Sequence, residues 1–223
     1  MKLFLSTLIC CVAVGPVSAH FLFILPADGQ LPAKVILSDN PTVDPRTSAA
    51  QMSLKSVTTM SADRKKGELP LTLDRVTGIW NLPEKERLGA VATVSHVNGI
   101  SNQGEGERYL IRYHAKLVSS LDDLTATPTL PLDLIPQREG SGMNIKVMAG
   151  KKPVPNAVLM VQEPGETKWK MIKADTSGVS PMFSGKGLFA FRVMNTDATA
   201  GEYEGRRYKG IRDYSTLVVI RSE

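Results

Sequence analysis

Cysteine is scarce in this sequence. Its 223 residues include two cysteines, Cys10 and Cys11, and both lie within the apolar segment at the N-terminus. If that segment is removed, the remaining chain has no disulfide, no thiolate metal site and no cysteine nucleophile. The fold must then be stabilised by burial of an apolar core, for which about 200 residues are sufficient.

Long hydrophobic runs are scarce too. The one prominent run, Leu3–Val14, follows a basic start and precedes a segment of small residues that ends at Ala19. These three parts are typical of a secretory signal peptide, and the run is shorter than the ~20 residues that span a bilayer. We therefore predict a signal peptide at residues 1–19, a periplasmic or secreted protein that begins at His20, and no transmembrane segment after cleavage.

Dense positive charge and catalytic motifs are missing as well. The net charge is +5, but the basic residues are scattered, with dense groups no larger than Arg64–Lys66 and Arg206–Arg207. Nucleic-acid-binding proteins concentrate such residues on one face, with aromatic residues between them. The sequence also has no Gly-x-Ser-x-Gly, phosphate-loop or His-Glu-x-x-His motif. We expect no nucleic-acid partner and no enzymatic activity.

What the sequence does contain is a regular alternation of turn residues and short apolar runs. Its 18 glycines and 14 prolines separate runs rich in Val, Ile, Leu and Tyr, a pattern typical of sandwiches and barrels. We predict an all-β fold with an N-terminal β-sandwich or barrel-like domain at residues 20–138. A small immunoglobulin-like or prealbumin-like β-sandwich is expected at residues 139–223. The proline-rich segment Ser119–Pro136 reads as an extended linker between the two.

The segment Arg108–Val118 has the clearest strand pattern. Apolar residues occupy every second position from Tyr109, and the positions between them include Arg112, His114 and Lys116. Alternation with a period of two places one face of a strand on a core and the other towards water. We therefore expect His114 to lie on a solvent-facing side.

Three histidines are the candidate metal ligands: His20, His96 and His114. Cleavage after Ala19 would give His20 a free α-amine beside its imidazole, and these two nitrogens can chelate one ion. Two further imidazoles would complete a nitrogen-rich site, which suits a Cu or Ni ion. The alternative is that all three are ordinary histidines at a terminus, a core edge and a surface.

Hairpin geometry decides whether two of these histidines can meet. His96 and His114 are equidistant from Glu105, so a tight turn there would place them directly opposite, with Cβ atoms ~5 Å apart. A wider loop centred on Asn102 would leave them on one face but ~20 Å apart along the strands. A single β-bulge between them would place them on opposite faces.

The methionines do not form a Met-x-x-Met motif, although the sequence has nine of them. A thioether site for Cu(I) would need several of them together. Because they are dispersed along the chain, we expect them to fill gaps in the core.

Two segments of the C-terminal half resemble known β-sandwiches. Gly150–Val158 is similar to the opening hairpin of the carboxypeptidase-regulatory and prealbumin-like sandwiches, and Asp175–Gly178 is similar to their Asp-x-x-Gly turn. In such a turn the Asp side chain accepts backbone amide hydrogen bonds, and Gly adopts positive φ.

Most of the chain resembles the NikM-like family of secreted proteins, a nickel-uptake-associated and largely uncharacterised group. The matching segments are Ala19-His20 with the apolar strand that follows, Tyr113–Lys116, the Gly150 hairpin, Gly201–Gly205 and Tyr214–Leu217. The resemblance implies an extracytoplasmic protein associated with a transition metal. Members of the family often carry histidine near the positions of Asn195 and Asp213, where this chain has an amide and a carboxylate.

Three functions remain open on the sequence. The first is an extracytoplasmic protein that binds nickel or copper, is accessory to metal uptake, and has a membrane transporter or other cell-surface component as its partner. The second is a non-catalytic β-sandwich interaction module that binds a protein or glycan at the cell surface. The third, an oxidative copper enzyme, would need an open coordination position and a substrate face, and the two tryptophans do not suggest an aromatic platform.

Overall fold

The structure is a computed structural model. The residues it describes are 20–28, 31–44, 47, 49, 52–60, 65–83, 88, 90–102, 107–121 and 129–222. The predicted signal peptide, residues 1–19, lies outside them. Within the described residues every regular element is a β-strand, which confirms the predicted all-β, sandwich-like fold. No helix in these ranges is long and apolar enough to cross a membrane.

The strands follow the chain in this order: β1 Phe21–Leu25, β2 Lys34–Ser38, β3 Ser56–Met60, β4 Lys66–Pro70, β5 Thr72–Asp74, β6 Ile79–Asn81, β7 Val91–Asn102, β8 Arg108–Val118, β9 Leu132–Glu139, β10 Gly142–Ala149, β11 Lys152–Pro153, β12 Val158–Gln162, β13 Lys170–Lys173, β14 Gly187–Asp197, β15 Gly201–Tyr203, β16 Arg206–Tyr208 and β17 Gly210–Arg221.

One large sheet organises the fold. Its eight strands lie in the order β13-β12-β14-β17-β8-β7-β3-β4, and β17 runs parallel to β8 at its centre. A sheet of order β1-β2-β6-β5 covers one face of it, and a sheet of order β11-β10-β9 covers the other. The large sheet contains strands from both sides of residue 139, where we placed the domain boundary, and the β9–β10 hairpin turns at that point.

Two cores result from this layering. All five residues of β1 are buried, and they pack on a face of the large sheet that includes Ile111 and Ala115. We call this the β1 face. Leu134 of β9 packs with Phe191 and Leu217 on the opposite side, which we call the β9 face.

The expectation that His114 faces water is wrong. His114 is only 2% exposed, and Lys116 is buried as well. Both lie on the β9 face of β8, and β9 packs over that face. A strand at the centre of a three-layer arrangement is covered on both sides, so its polar positions are buried with its apolar ones.

The linker interpretation of Ser119–Pro136 is wrong at its C-terminal end. Residues from Leu132 onward form β9, which pairs with β10 and places Pro136 opposite Ile145. Strand β9 lies at the edge of its sheet. Proline is tolerated in an edge strand because its missing N–H can face away from the ladder.

The resemblance to prealbumin-like turns is matched locally. The side chain of Asp175 accepts hydrogen bonds from the backbone N–H groups of Ser177 and Val179, both at 2.8 Å. Gly178 adopts φ 76°, in the left-handed region that favours glycine.

Candidate functional site

His20 lies at the start of β1, beside an acidic residue. Strand β1 pairs with β2 so that Phe21 is opposite Ser38, and the next pair outward is His20 and Asp39. The Nδ1 atom of His20 is 3.1 Å from Oδ1 of Asp39. The two side chains are 40% and 33% exposed, so an ion can approach them from solvent.

The backbone around Asp39 is held from the large sheet. The indole Nε1 of Trp169 donates to the carbonyl of Asp39 at 3.0 Å and to Oδ1 of Asn40 at 2.9 Å. The guanidinium of Arg192 donates to the same carbonyl of Asp39 at 2.9 Å. The carboxylate is therefore carried on a backbone that Trp169, directly before β13, and Arg192 of β14 hold in place.

Arg192 also fixes the residue after His20. Its guanidinium lies over the rings of Phe21 and Trp169, 4.8 and 4.4 Å from their centroids. Burial lowers the pKa of Arg192, and the charge of Asp39 opposes that effect. A cation over aromatic faces contributes about 0.5–2 kcal/mol per contact, so this residue ties the N-terminal strand to β14.

The donor set at this corner consists of nitrogen and oxygen atoms. After the predicted cleavage it would comprise the α-amine and imidazole of His20 and the carboxylate of Asp39. In the part of the chain that the structure describes, side chains of His, Cys, Asp and Glu form no group of three or more that could hold a metal. The α-amine would therefore be the third donor, and donors of this kind suit divalent copper or nickel.

His114 belongs to a separate, buried network on the β9 face. Its Nε2 is 3.0 Å from Oδ1 of Asp213, and its Nδ1 is 2.9 Å from Oγ of Ser95. Arg112 donates to both oxygens of the same carboxylate, at 2.6 and 2.7 Å. Burial raises the pKa of Asp213, but the hydrogen bonds from His114 and Arg112 and the charge of Arg112 outweigh it and lower the pKa.

The chain of contacts from hydroxyl to imidazole to carboxylate resembles a catalytic triad in order only. With a neutral ring, Nε2 of His114 donates to Asp213 and Nδ1 accepts from Ser95, whereas the hydrolase triad uses the opposite ring nitrogens. The bidentate guanidinium of Arg112 already balances the carboxylate charge. The network joins β7, β8 and β17, and we assign it a structural role.

His96 and His114 lie on opposite faces of the large sheet. His114 pairs with Ser95, and His96 pairs with Tyr113. A register shift between Val97 and Gly99 is the bulge that produces this offset. His96 is therefore on the β1 face, where burial lowers its pKa.

The structure thus does not bring the three predicted histidines together. It pairs His20 with Asp39, which is not among the ligands predicted from the sequence. The signal was available, because a hairpin formed by the first two predicted strands, with its centre between Gly29 and Gln30, places His20 opposite Asp39.

One of the two positions near which the NikM-like family often has histidine, Asp213, lies beside His114. Asn195 and Asp213 are directly paired across β14 and β17, and Asp213 contacts His114. In this chain that position is occupied by the carboxylate of Asp213, which forms an ion pair with Arg112. No protein-family model and no curated protein matches the chain.

Proposed function

We propose that this protein is an extracytoplasmic transition-metal-binding protein, for copper or nickel, that is accessory to metal uptake and hands its ion to a membrane transporter. The ligands would be the α-amine and imidazole of His20 and the carboxylate of Asp39. The observation that carries the proposal is the 3.1 Å separation of His20 Nδ1 and Asp39 Oδ1 at a solvent-accessible corner.

That separation is the one that a shared ion needs. Nitrogen and oxygen ligands lie about 2.0–2.2 Å from a transition metal, so two adjacent ligands of one ion are about 3 Å apart. The α-amine and Nδ1 of one histidine can close a chelate ring on the same ion. Binding would replace a hydrogen bond without moving the backbone, which Trp169 and Arg192 already hold.

This site differs from the three-histidine hypothesis. Both ring nitrogens of His114 are engaged by Ser95 and Asp213 inside the fold. Recruiting His114 would break both of these hydrogen bonds inside the fold, and a buried polar group left without a hydrogen bond costs about 1–3 kcal/mol. Asp39, by contrast, lies at the surface with 33% of its side chain exposed.

The test is a titration of Cu(II) and Ni(II) on protein that begins at His20, followed by calorimetry against a competing chelator. We expect one ion per chain. His20→Ala should abolish tight binding, and Asp39→Asn should weaken it about 10–100-fold, as for other groups that support a metal.

Two matched controls separate the N-terminal chelate from other binding. One glycine added before His20 moves the α-amine away while retaining the imidazole, and it should weaken binding as strongly as His20→Ala does. His96→Gln should change nothing, because His96 lies on β7, three strands away from β14, whose Arg192 holds the corner. Unchanged affinity in His20→Ala would refute the N-terminal chelate, and no binding above background in the wild type would favour the non-catalytic interaction module.

A further inference from the structure

Three methionines lie side by side on the β1 face of the outer strands. Met171 of β13 is directly opposite Met160 of β12. Met160 is in turn opposite Arg192 of β14, and Met194 is the next residue of β14 on the same face. We call Met160, Met171 and Met194 the methionine cluster.

The cluster is accessible to solvent, which corrects the expectation that methionines fill the core. Met171 is 72% exposed and Met194 is 51% exposed, and Met160 is partly buried. Met52 and Met143 do lie in the cores as expected. Packing in the core therefore does not explain the exposed methionines of β13 and β14, which flank the partly buried Met160 of β12.

The spacing of the cluster suits one soft ion. Directly opposed side chains have Cβ atoms ~5 Å apart, and diagonal neighbours are ~7–8 Å apart. Methionine is unbranched with three rotatable bonds, so Met160 and Met171 can place two thioethers on one ion above the sheet, and Met160 can instead share an ion with Met194, its diagonal neighbour. Thioether sulfur selects Cu(I) among the common biological metals.

The cluster adjoins the His20 corner. Tyr214 is paired with Met194 across β14 and β17, and its ring packs edge-on against that of Phe21 at 5.5 Å. Arg192, which lies between Met160 and Met194 on this face, contacts Phe21 as well. Phe21 directly follows His20 in the chain.

We infer that the metal is copper, and that the methionine cluster is a Cu(I) site beside the His20–Asp39 site. This inference rests on the proposed function and names its metal. The nitrogen and oxygen donors of the corner suit Cu(II), and the thioethers suit Cu(I). Nickel(II) would bind only at the His20–Asp39 site.

The experiment measures Cu(I) affinity under anaerobic, reducing conditions by competition with a chromophoric Cu(I) chelator. The variant replaces Met160, Met171 and Met194 by leucine, which retains volume and removes sulfur. We expect Cu(I) binding to weaken at least 10-fold and Cu(II) binding at His20 to stay unchanged. X-ray absorption of the Cu(I) protein should show sulfur ligands that the variant lacks.

Met182→Leu is the matched control, because Met182 is 57% exposed but lies outside the cluster. It should leave Cu(I) affinity unchanged. Met171→Leu alone perturbs the least buried member, and it should weaken Cu(I) binding with no effect on folding.

The outcomes separate the two proposals. Cu(I) affinity that is equal in the wild type and the triple variant, or absent in the wild type, would overturn the inference and leave the methionines as an apolar contact surface. Cu(II) binding that survives His20→Ala, with Cu(I) binding lost in the triple variant, would refute the N-terminal site while supporting the thioether site.

Discussion

Removal of one buried lysine should test how the two halves of the fold are joined. Lys116 of β8 forms an ion pair with Asp133 of β9, and neither side chain is more than 5% exposed. Burial lowers the pKa of Lys116, and the charge of Asp133 opposes that effect. The other carboxylate oxygen of Asp133 accepts hydrogen bonds from the backbone N–H groups of Thr129 and Leu130, at 2.6 and 3.3 Å.

Lys116→Met should be strongly destabilising. The substitution retains most of the apolar stem but leaves a buried carboxylate without its cation, which costs about 3–5 kcal/mol. That is a large share of the ~5–15 kcal/mol that stabilises a typical domain. Urea denaturation, followed by intrinsic fluorescence and far-ultraviolet circular dichroism, measures the change in the free energy of unfolding.

A double variant makes the reasoning refutable. Lys116→Met with Asp133→Asn removes both charges, and the amide oxygen can still accept from Thr129 and Leu130. The double variant should therefore be more stable than Lys116→Met alone. Lys170→Met, which breaks an exposed pair with Glu163, should cost less than about 1 kcal/mol. A loss below 1 kcal/mol for Lys116→Met, additive with Asp133→Asn, would show that the pair is not coupled.

Two further predictions concern acid stability and a turn. Because the pKa of Asp213 is lowered in the fold, its carboxylate adds to the free energy of unfolding above about pH 4, and this stabilisation is lost as the pH falls through the folded pKa. In a plot of unfolding midpoint against pH, Asp213→Asn should therefore show a shallower fall on the acid side than the wild type. Gly178→Ala should cost about 1–3 kcal/mol, because φ is 76° and the new Cβ would lie 3.0 Å from the carbonyl of Val147. Gly140→Ala, also at positive φ but with open space around it, should cost less, and equal costs would contradict the steric argument.

Local alternation was sufficient to predict where many strands lie. Arg108–Val118 has the predicted bounds, since its pattern of apolar and polar residues is uninterrupted. Alternation could not show what covers the second face of that strand. The covering strand β9 contains Pro136, and its proline-rich surroundings favoured a linker.

The candidate site depended on pairing, which the sequence constrains only loosely. The loop between His96 and His114 left several pairing registers open. One additional residue of β7 near Gly99 moves every earlier residue of that strand, including His96, to the opposite face of the sheet. The methionine cluster was missed for a similar reason. Its members are dispersed along the chain and meet only because β12, β13 and β14 are adjacent.

The central position of β17 bears on how this protein is made. Strand β17, Gly210–Arg221, is the last of the described strands in the chain, yet it lies between β14 and β8 in the large sheet. Without it, β14 and β8 would each lack a neighbouring strand, and unpaired strand edges are prone to associate with other chains. A nascent polypeptide would thus carry both halves open until residues 210–221 emerge. The unpaired edges stay exposed from that emergence until the sheet closes. This interval is long, because pairings between strands far apart in sequence form slowly.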